Sequence, residues 1–335
     1  MTANDEAPAR SVPERRDLMA ALRLASRAPS VHNTQPWRWV FDGTRLHLYT
    51  DADRLLPSTD PHGRQLVISC GAVLHHARTA LADQGWHTDT TRVPDRQRPD
   101  HLAVIEFRRW PDPPEAIHTR ALAIDRRRTD RLPMTEPAGF ADLLPRLRML
   151  TSPHEVELSV LDDSARPRLA AASRQVGALR RHDLLYQTEL EWWAGHSEAL
   201  EGVPASALVS DAELARVGVA RAFPPAPHAS RRARLDDRAR LVVLATEADS
   251  VTQWLRTGEA LSAVLLECTA AGLATCALTH ITELPTTRGL LSSLIPRPAI
   301  SQVLLRVGSA PDDTDTIPPT PRRPVTETFT VTAAH

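Results

Sequence analysis

The sequence of 335 residues contains no lysine, so all 40 Lys-or-Arg positions are arginine. A P-loop, a pyridoxal Schiff base and a lysine general base are therefore excluded, because each needs the amine. Glycine is scarce, at 13 residues, and no G-x-G-x-x-G is present, which argues against a Rossmann nucleotide domain. No G-x-S-x-G elbow and no H-E-x-x-H pair occurs either. The three cysteines, Cys70, Cys268 and Cys276, form no C-x-x-C, so neither a disulfide framework nor a zinc site is expected and they read as buried thiols. The most apolar window, Leu66 to Leu74, falls far short of the roughly 20 residues needed to cross a bilayer. The segment Met1–Asp17 is polar and carries no visible secretory signal, so the expected location is cytoplasmic, without membrane contact. With a net charge of -1 and both signs interspersed, the chain has no basic footprint for nucleic acid. What remains, 42% hydrophobic and 24% charged, is the composition of an ordinary globular protein, long enough for two domains.

Periodicity places the main elements. Ser11 and Glu14 have the spacing of a capping box ahead of a helix with Leu18, Ala21, Leu22 and Ala25 on one face, ended near Pro29. Strands at Arg38–Phe41 and Arg45–Tyr49 flank a turn at Asp42-Gly43. Asp60-Pro61 opens a long apolar helix running to Gly85, and Leu102–Phe107 is a further strand. The Pro-rich Trp110–Pro114 marks a boundary. Beyond it come a charged helix at Ile117–Arg128, a strand at Leu241–Ala245, a long helix from Ser250 to Ala271 stopped by Gly272, and a strand at Gln302–Val307. The Trp- and Pro-bearing stretch Glu189–Arg232 reads as a poorly ordered excursion suited to a lid.

The two long helices resemble each other. Gly71-Ala72-Val73-Leu74 runs to Gly85, and Gly258-Glu259-Ala260-Leu261 runs to Gly272, with both glycine pairs fourteen residues apart. This predicts two repeated halves, 1–114 and 115–335, with the lid-like segment near 189–232.

One segment carries chemistry. Ala28-Pro29-Ser30-Val31-His32-Asn33-Thr34-Gln35-Pro36-Trp37 places polar groups in a turn between two prolines, after a helix C-terminus. By itself it reads equally as a binding turn or as a structural corner with Trp37 in the core. The segment resembles the A-P-S-x-x-N-x-Q-P-W of the nitroreductase-like flavin family. Further segments extend the likeness to the family's actinobacterial Acg branch: Asp53–Pro57, Ser69–Ala72, Arg126–Arg131 and Pro319–Pro324.

The resemblance implies an α+β fold, a nitroreductase-like α-β-α sandwich, whose two repeated halves form a pseudo-dimer in one chain, a monomer mimicking the family's homodimer. It implies FMN as cofactor, held through Pro29, Ser30 and Asn33 of the turn. The family's Arg-x-Ser-x-Arg phosphate element is matched by Arg127, Thr129 and Arg131 with Arg128 between them, and its C-terminal basic pair by Arg322 and Arg323. Planar arginine donors with a hydroxyl between them suit a phosphate dianion. Where the family has a Glu-Gly step beside flavin N5, this chain has Thr279 and His280, and an imidazole there would crowd a nicotinamide ring. Only one half has the Pro-Ser turn and only the other the arginine run, so one FMN per chain is expected. The implied activity is NAD(P)H-dependent reduction of small nitroaromatic or quinone-type acceptors, with no dedicated acid-base side chain. The alternative is a protein that sequesters FMN with little reductase activity. His280 with Glu283 lacks a third ligand, and Asp312–Asp315 lacks EF-hand spacing, so no metal site is expected.

Overall fold

The computed structural model describes residues 12–194, 201–226, 231–311 and 319–332. Helix α1 (Arg15–Ala25) buries Leu18, Ala21, Leu22 and Ala25 along one stripe. Its Ser11 cap lies outside the described residues, and Glu14 occupies the N-cap. Strands β1 (Trp37–Phe41) and β2 (Leu46–Thr50) form a hairpin in which the Asp42 carboxylate accepts the backbone N–H groups of Thr44 and Arg45. Helix α2 (Arg64–Asp83) begins three residues after the expected Asp60-Pro61 start. The carboxylate of Asp60 still reaches its first turn, accepting Leu66 N–H at 2.8 Å. Strands β3 (Trp86–Arg92) and β4 (His101–Arg109) follow.

Across the Pro-rich boundary come α3 (Glu115–Arg126), α4 (Phe140–Thr151), β5 (Glu157–Val160) and α5 (Ala165–Arg180). The expected excursion has more order than its composition suggested, with α6 (Leu184–Trp193) and α7 (Asp211–Val217). The latter is opened by a complete Ser210/Glu213 capping box. Then come β6 (Arg240–Thr246), α8 (Val251–Ala270), β7 (Ala274–Leu278), α9 (Pro285–Ser292), β8 (Ile300–Gly308), α10 (Val325–Thr328) and β9 (Phe329–Val331).

The strands form two sheets, ordered β3-β4-β2-β1-β9 and β5-β6-β8-β7. Every pairing is antiparallel except β1 with β9. In each sheet two strands precede a long helix and two follow it, with β9 added at the edge of the first sheet, and the register slips once in the strand before that helix, at Leu48/Tyr49 and at Leu244/Ala245. Helices α1 and α2 cover one face of the first sheet. Helices α4 and α8 cover one face of the second, while α5 and α9 cover its other face. The result is an α+β sandwich with α2 against α8 at its centre.

That central contact depends on two glycines. A Cβ on Gly71 would lie 2.0 Å from the Leu255 carbonyl oxygen, and one on Gly258 would lie 2.0 Å from that of Ile68. The backbones touch there, as only glycine allows. The tail from 319 onward crosses to β1, which carries Arg322 beside the Pro29–Gln35 turn. Among the described residues no helix is long and apolar enough to cross a membrane.

Candidate functional site

The turn after α1 is unusually constrained. His32, Asn33 and Gln35 all adopt left-handed backbone angles, φ 47°, 59° and 51°, which cost non-glycine residues of order 1–3 kcal/mol each. Ser30 Oγ accepts Gln35 N–H at 3.0 Å, and Ser69 Oγ on α2 accepts Val31 N–H at 3.1 Å. The Asn33 amide donates to the carbonyls of Gly202 (2.9 Å) and Pro321 (3.2 Å), tying the turn to the segment after α6 and to the tail. The buried Asn33 Oδ1 keeps no partner.

This turn forms one wall of a cleft with an outer and an inner end, which share Pro29, Ser30, His32, Thr129 and Arg131. The outer end is lined by Arg27, Pro29, Ser30, Asn33, Arg127, Arg128, Thr129, Arg131, Thr320 and Arg322. The residues from Arg127 to Arg131 reach it by running alongside β7, where Thr129 bridges Thr275 and Asp130 N–H donates to the Thr275 carbonyl. Arg322 donates to the carbonyls of Ser26 and Arg27 at the C-terminus of α1, where a cation offsets the helix dipole. Arg127 donates to Arg27 O at 3.3 Å, and its Nε is buried without a partner. Among the described residues neither Arg127 nor Arg322 has a carboxylate partner, and Arg27 meets only the exposed Asp125, at 3.8 Å. Burial and the neighbouring Arg27 pull Arg127 down to about 10. Burial, Arg127 and Arg27 pull Arg322 down to about 9. Buried cations without a carboxylate partner are the electrostatic setting that an anion would relieve.

The inner end is narrower and largely apolar. Gln65, Ile68 and Ser69 of α2, Leu261 of α8, Cys276–Leu278 of β7 and Thr279 just after it line it. Residues Val209, Ala220, Arg221 and Phe223, from the segment read as a lid, close it. Thr279 Oγ1 donates to Gln65 Oε1 at 2.5 Å, and Gln65 Nε2 donates to Glu283. Arg221 forms a buried ion pair with Glu283 and donates to Tyr186 Oη at 2.7 Å. Although burial opposes its charge, Glu283 keeps Arg221 cationic.

Nine of the eleven expected site residues therefore line the cleft: Pro29, Ser30, Asn33, Arg127, Arg128, Thr129, Arg131 and Arg322 at the outer end, and Thr279 at the inner. Two lie elsewhere. His280 turns from the cleft toward α5, where its Nε2 meets Ser173 Oγ at 2.9 Å, so no imidazole crowds the inner end from that position. Arg323 turns to Asp51 (3.4 Å) and Glu327 (3.3 Å) behind the Gln35 side chain. His75 and His76, adjacent on α2, both reach Ser262 across the α2–α8 contact at 2.7 Å, so neither is an exposed residue. The acidic turn Asp312–Asp315 lies outside the described residues. Sequence reasoning missed Arg27, Gln65, Arg221 and Phe223. Only Gln65 and Ser69, four apart on one helix face, carried a local signal.

The architecture is the α+β nitroreductase fold, and the chain belongs to the nitroreductase family. It is 46% identical over 317 residues, 94% of this chain and 96% of the relative, to "Putative NAD(P)H nitroreductase acg" of Mycobacterium tuberculosis (strain ATCC 25618 / H37Rv). It is 38% identical over 320 residues to the same organism's "Putative NAD(P)H nitroreductase Rv3131", covering 94% and 91% of the two chains. Among solved structures, the FMN-dependent nitroreductase NfnB of Mycobacterium smegmatis in complex with NADPH is similar at a TM-score of 0.41 and 18% identity, over 64% of this chain and 97% of that one. No family model matches the chain.

Proposed function

We propose that the cleft binds FMN and that the protein is an NAD(P)H-dependent oxidoreductase acting on nitroaromatic or quinone-type acceptors. The observation that carries this reading is the outer end: Arg127 and Arg322 are buried beside each other without a described carboxylate, and Arg127 Nε and Asn33 Oδ1 have no partner. A phosphate dianion satisfies such a set, through charge-assisted bonds from planar guanidinium groups. Arg27, Arg127, Arg322 and the Thr129 hydroxyl would hold the phosphate. Gln65, Ser69, Thr279 and the β7 backbone would frame the ring system.

When bound, FMN supplies the hydride and electron chemistry. The protein's own residues perform other tasks. Leu261, Ile68 and Phe223 exclude water from the inner end, while the arginines fix the anionic end. The linked Thr279, Gln65, Glu283 and Arg221 side chains hold polar groups in place around the ring position.

We read the pairing of α2 and α8 as that of two repeated halves, 1–114 and 115–335, packed as subunits of a dimer would be, so that the chain works as a monomer. In that alignment Arg92 corresponds to Thr279. Arg92 is bound through both Nε and Nη2 to buried Glu259, at 2.6 and 2.9 Å, so we read the corresponding position of the other half as occupied by an ion pair instead of a flavin. One FMN per chain follows.

A second reading, sequestration of FMN, is favoured by the 201–226 segment, whose Arg221 is buried against Glu283 over the inner end. The anaerobic visible spectrum of FMN-loaded protein separates the two. Bleaching of the flavin band on adding NADPH or NADH supports the oxidoreductase. A band that resists both, yet bleaches with dithionite, supports sequestration.

A further inference from the structure

The strained turn carries one side chain that neither the arginine end nor the ring end explains. His32 is buried and lines both ends of the cleft, so it stands where they join. Among the described residues neither of its ring nitrogens has a hydrogen-bond partner. Its backbone is held in the left-handed region at φ 47°, and its ring meets the edge of Phe223 at 5.6 Å between centroids. Buried polar groups are nearly always satisfied, so a doubly unpartnered imidazole on a strained residue marks a place where a ligand supplies the missing partners. Burial, with Arg221 and Arg131 close by, holds the ring neutral. A neutral imidazole offers one N–H donor and one acceptor nitrogen. A hydroxyl group, itself donor and acceptor, satisfies both kinds of site.

We propose that His32 binds the polyol chain of the flavin, donating to and accepting from its hydroxyls where the chain passes from the arginine end to the ring end. This rests on the reading of the cleft as an FMN site. It assigns His32, rather than an arginine, the recognition of the part of the cofactor that carries neither charge nor ring.

The test compares FMN, riboflavin and lumiflavin, titrated into apoprotein by flavin fluorescence, for the wild type, His32→Phe and His32→Asn. Phenylalanine keeps a ring against Phe223 and removes both nitrogens, whereas asparagine keeps a donor and an acceptor and tolerates left-handed φ. His32→Phe is expected to weaken FMN and riboflavin alike, by about tenfold for two neutral hydrogen bonds, and to leave lumiflavin, which lacks the polyol, unchanged. His32→Asn is expected to recover part of that loss. The melting temperature of the His32→Phe apoprotein should not fall, because the variant removes unsatisfied polar atoms. Equal weakening of all three flavins, weakening of FMN alone, or no weakening would each overturn the proposal. A wild type that binds none of the three would overturn the flavin reading of the cleft itself.

Discussion

The surroundings of Glu259 and the outer end of the cleft handle buried charge in opposite ways. Around Glu259 the cations are partnered: its fully buried carboxylate is shared by Arg92 and by Arg78 at 3.0 Å, with His154 at 3.7 Å. Around the outer end of the cleft they are not, because burial and the neighbouring Arg27 weaken the hold of Arg127 on its proton, and burial, Arg127 and Arg27 weaken that of Arg322, with no carboxylate partner for either among the described residues. The first arrangement closes the core. The second keeps a cleft open at a cost in stability, which an anionic ligand removes on binding. Cations without a carboxylate partner, more than the presence of charge, distinguish a site from a structural network.

The largest effect should come from breaking the α2–α8 contact. Gly71→Leu, whose Cβ alone would meet backbone oxygen, is expected to destabilise the fold by more than about 3 kcal/mol in urea denaturation. Next, Glu259→Ala should cost about 3 kcal/mol, because it strands two arginines and a histidine. Chemical denaturation with no change in FMN affinity would place that effect on the closed side. Arg127→Met is the converse: FMN affinity should fall by about 2 kcal/mol, measured by fluorescence titration, while the apoprotein melts no lower than the wild type. Unchanged FMN retention in Arg322→Met, measured by gel filtration, would count against the arginine set as the phosphate element.

The smallest effect per group concerns pH. Burial holds His32, His76 and His280 well below their ordinary value, and His75 down to about 3. Between each folded value and about 6.5 the unfolded chain binds more protons than the folded one. The stability these groups confer is therefore complete above pH 6.5 and is lost as pH falls toward the folded values. The loss should be about 1 kcal/mol per imidazole by pH 5.5, read from thermal melts. Asp60, pushed up to about 6 by burial, works the other way, since its contribution is present at low pH and is lost as pH rises through 6. It offsets only part of the histidine effect.

The readable parts of the sequence were those whose signal is contiguous. The Pro29–Trp37 turn, the hairpin at Asp42-Gly43 and the two long helices follow from local spacing, and their glycines pointed to each other before Gly71 and Gly258 were found in contact. Short elements were missed: β5 has four residues, β9 has three, and α4 carries Pro145 inside it. The outer end was legible because Arg127, Thr129 and Arg131 lie on one stretch. The inner end was not, since Gln65, Arg221 and Cys276 are brought together only by the pairing of α2 with α8 and by the return of residues 201–226 over it. The Ser210–Glu213 capping box shows that order in that segment was readable.

The central claim is that one open cleft, lined by Arg127 and Arg322 without a described carboxylate partner, takes one flavin per chain. Titration of the apoprotein with FMN, followed by fluorescence quenching with active-site concentration fixed by protein mass, tests it most directly. Saturation at one FMN per chain, lost together with its phosphate dependence in Arg127→Met, is the expected result. Saturation near two, or no quenching at all, would contradict it.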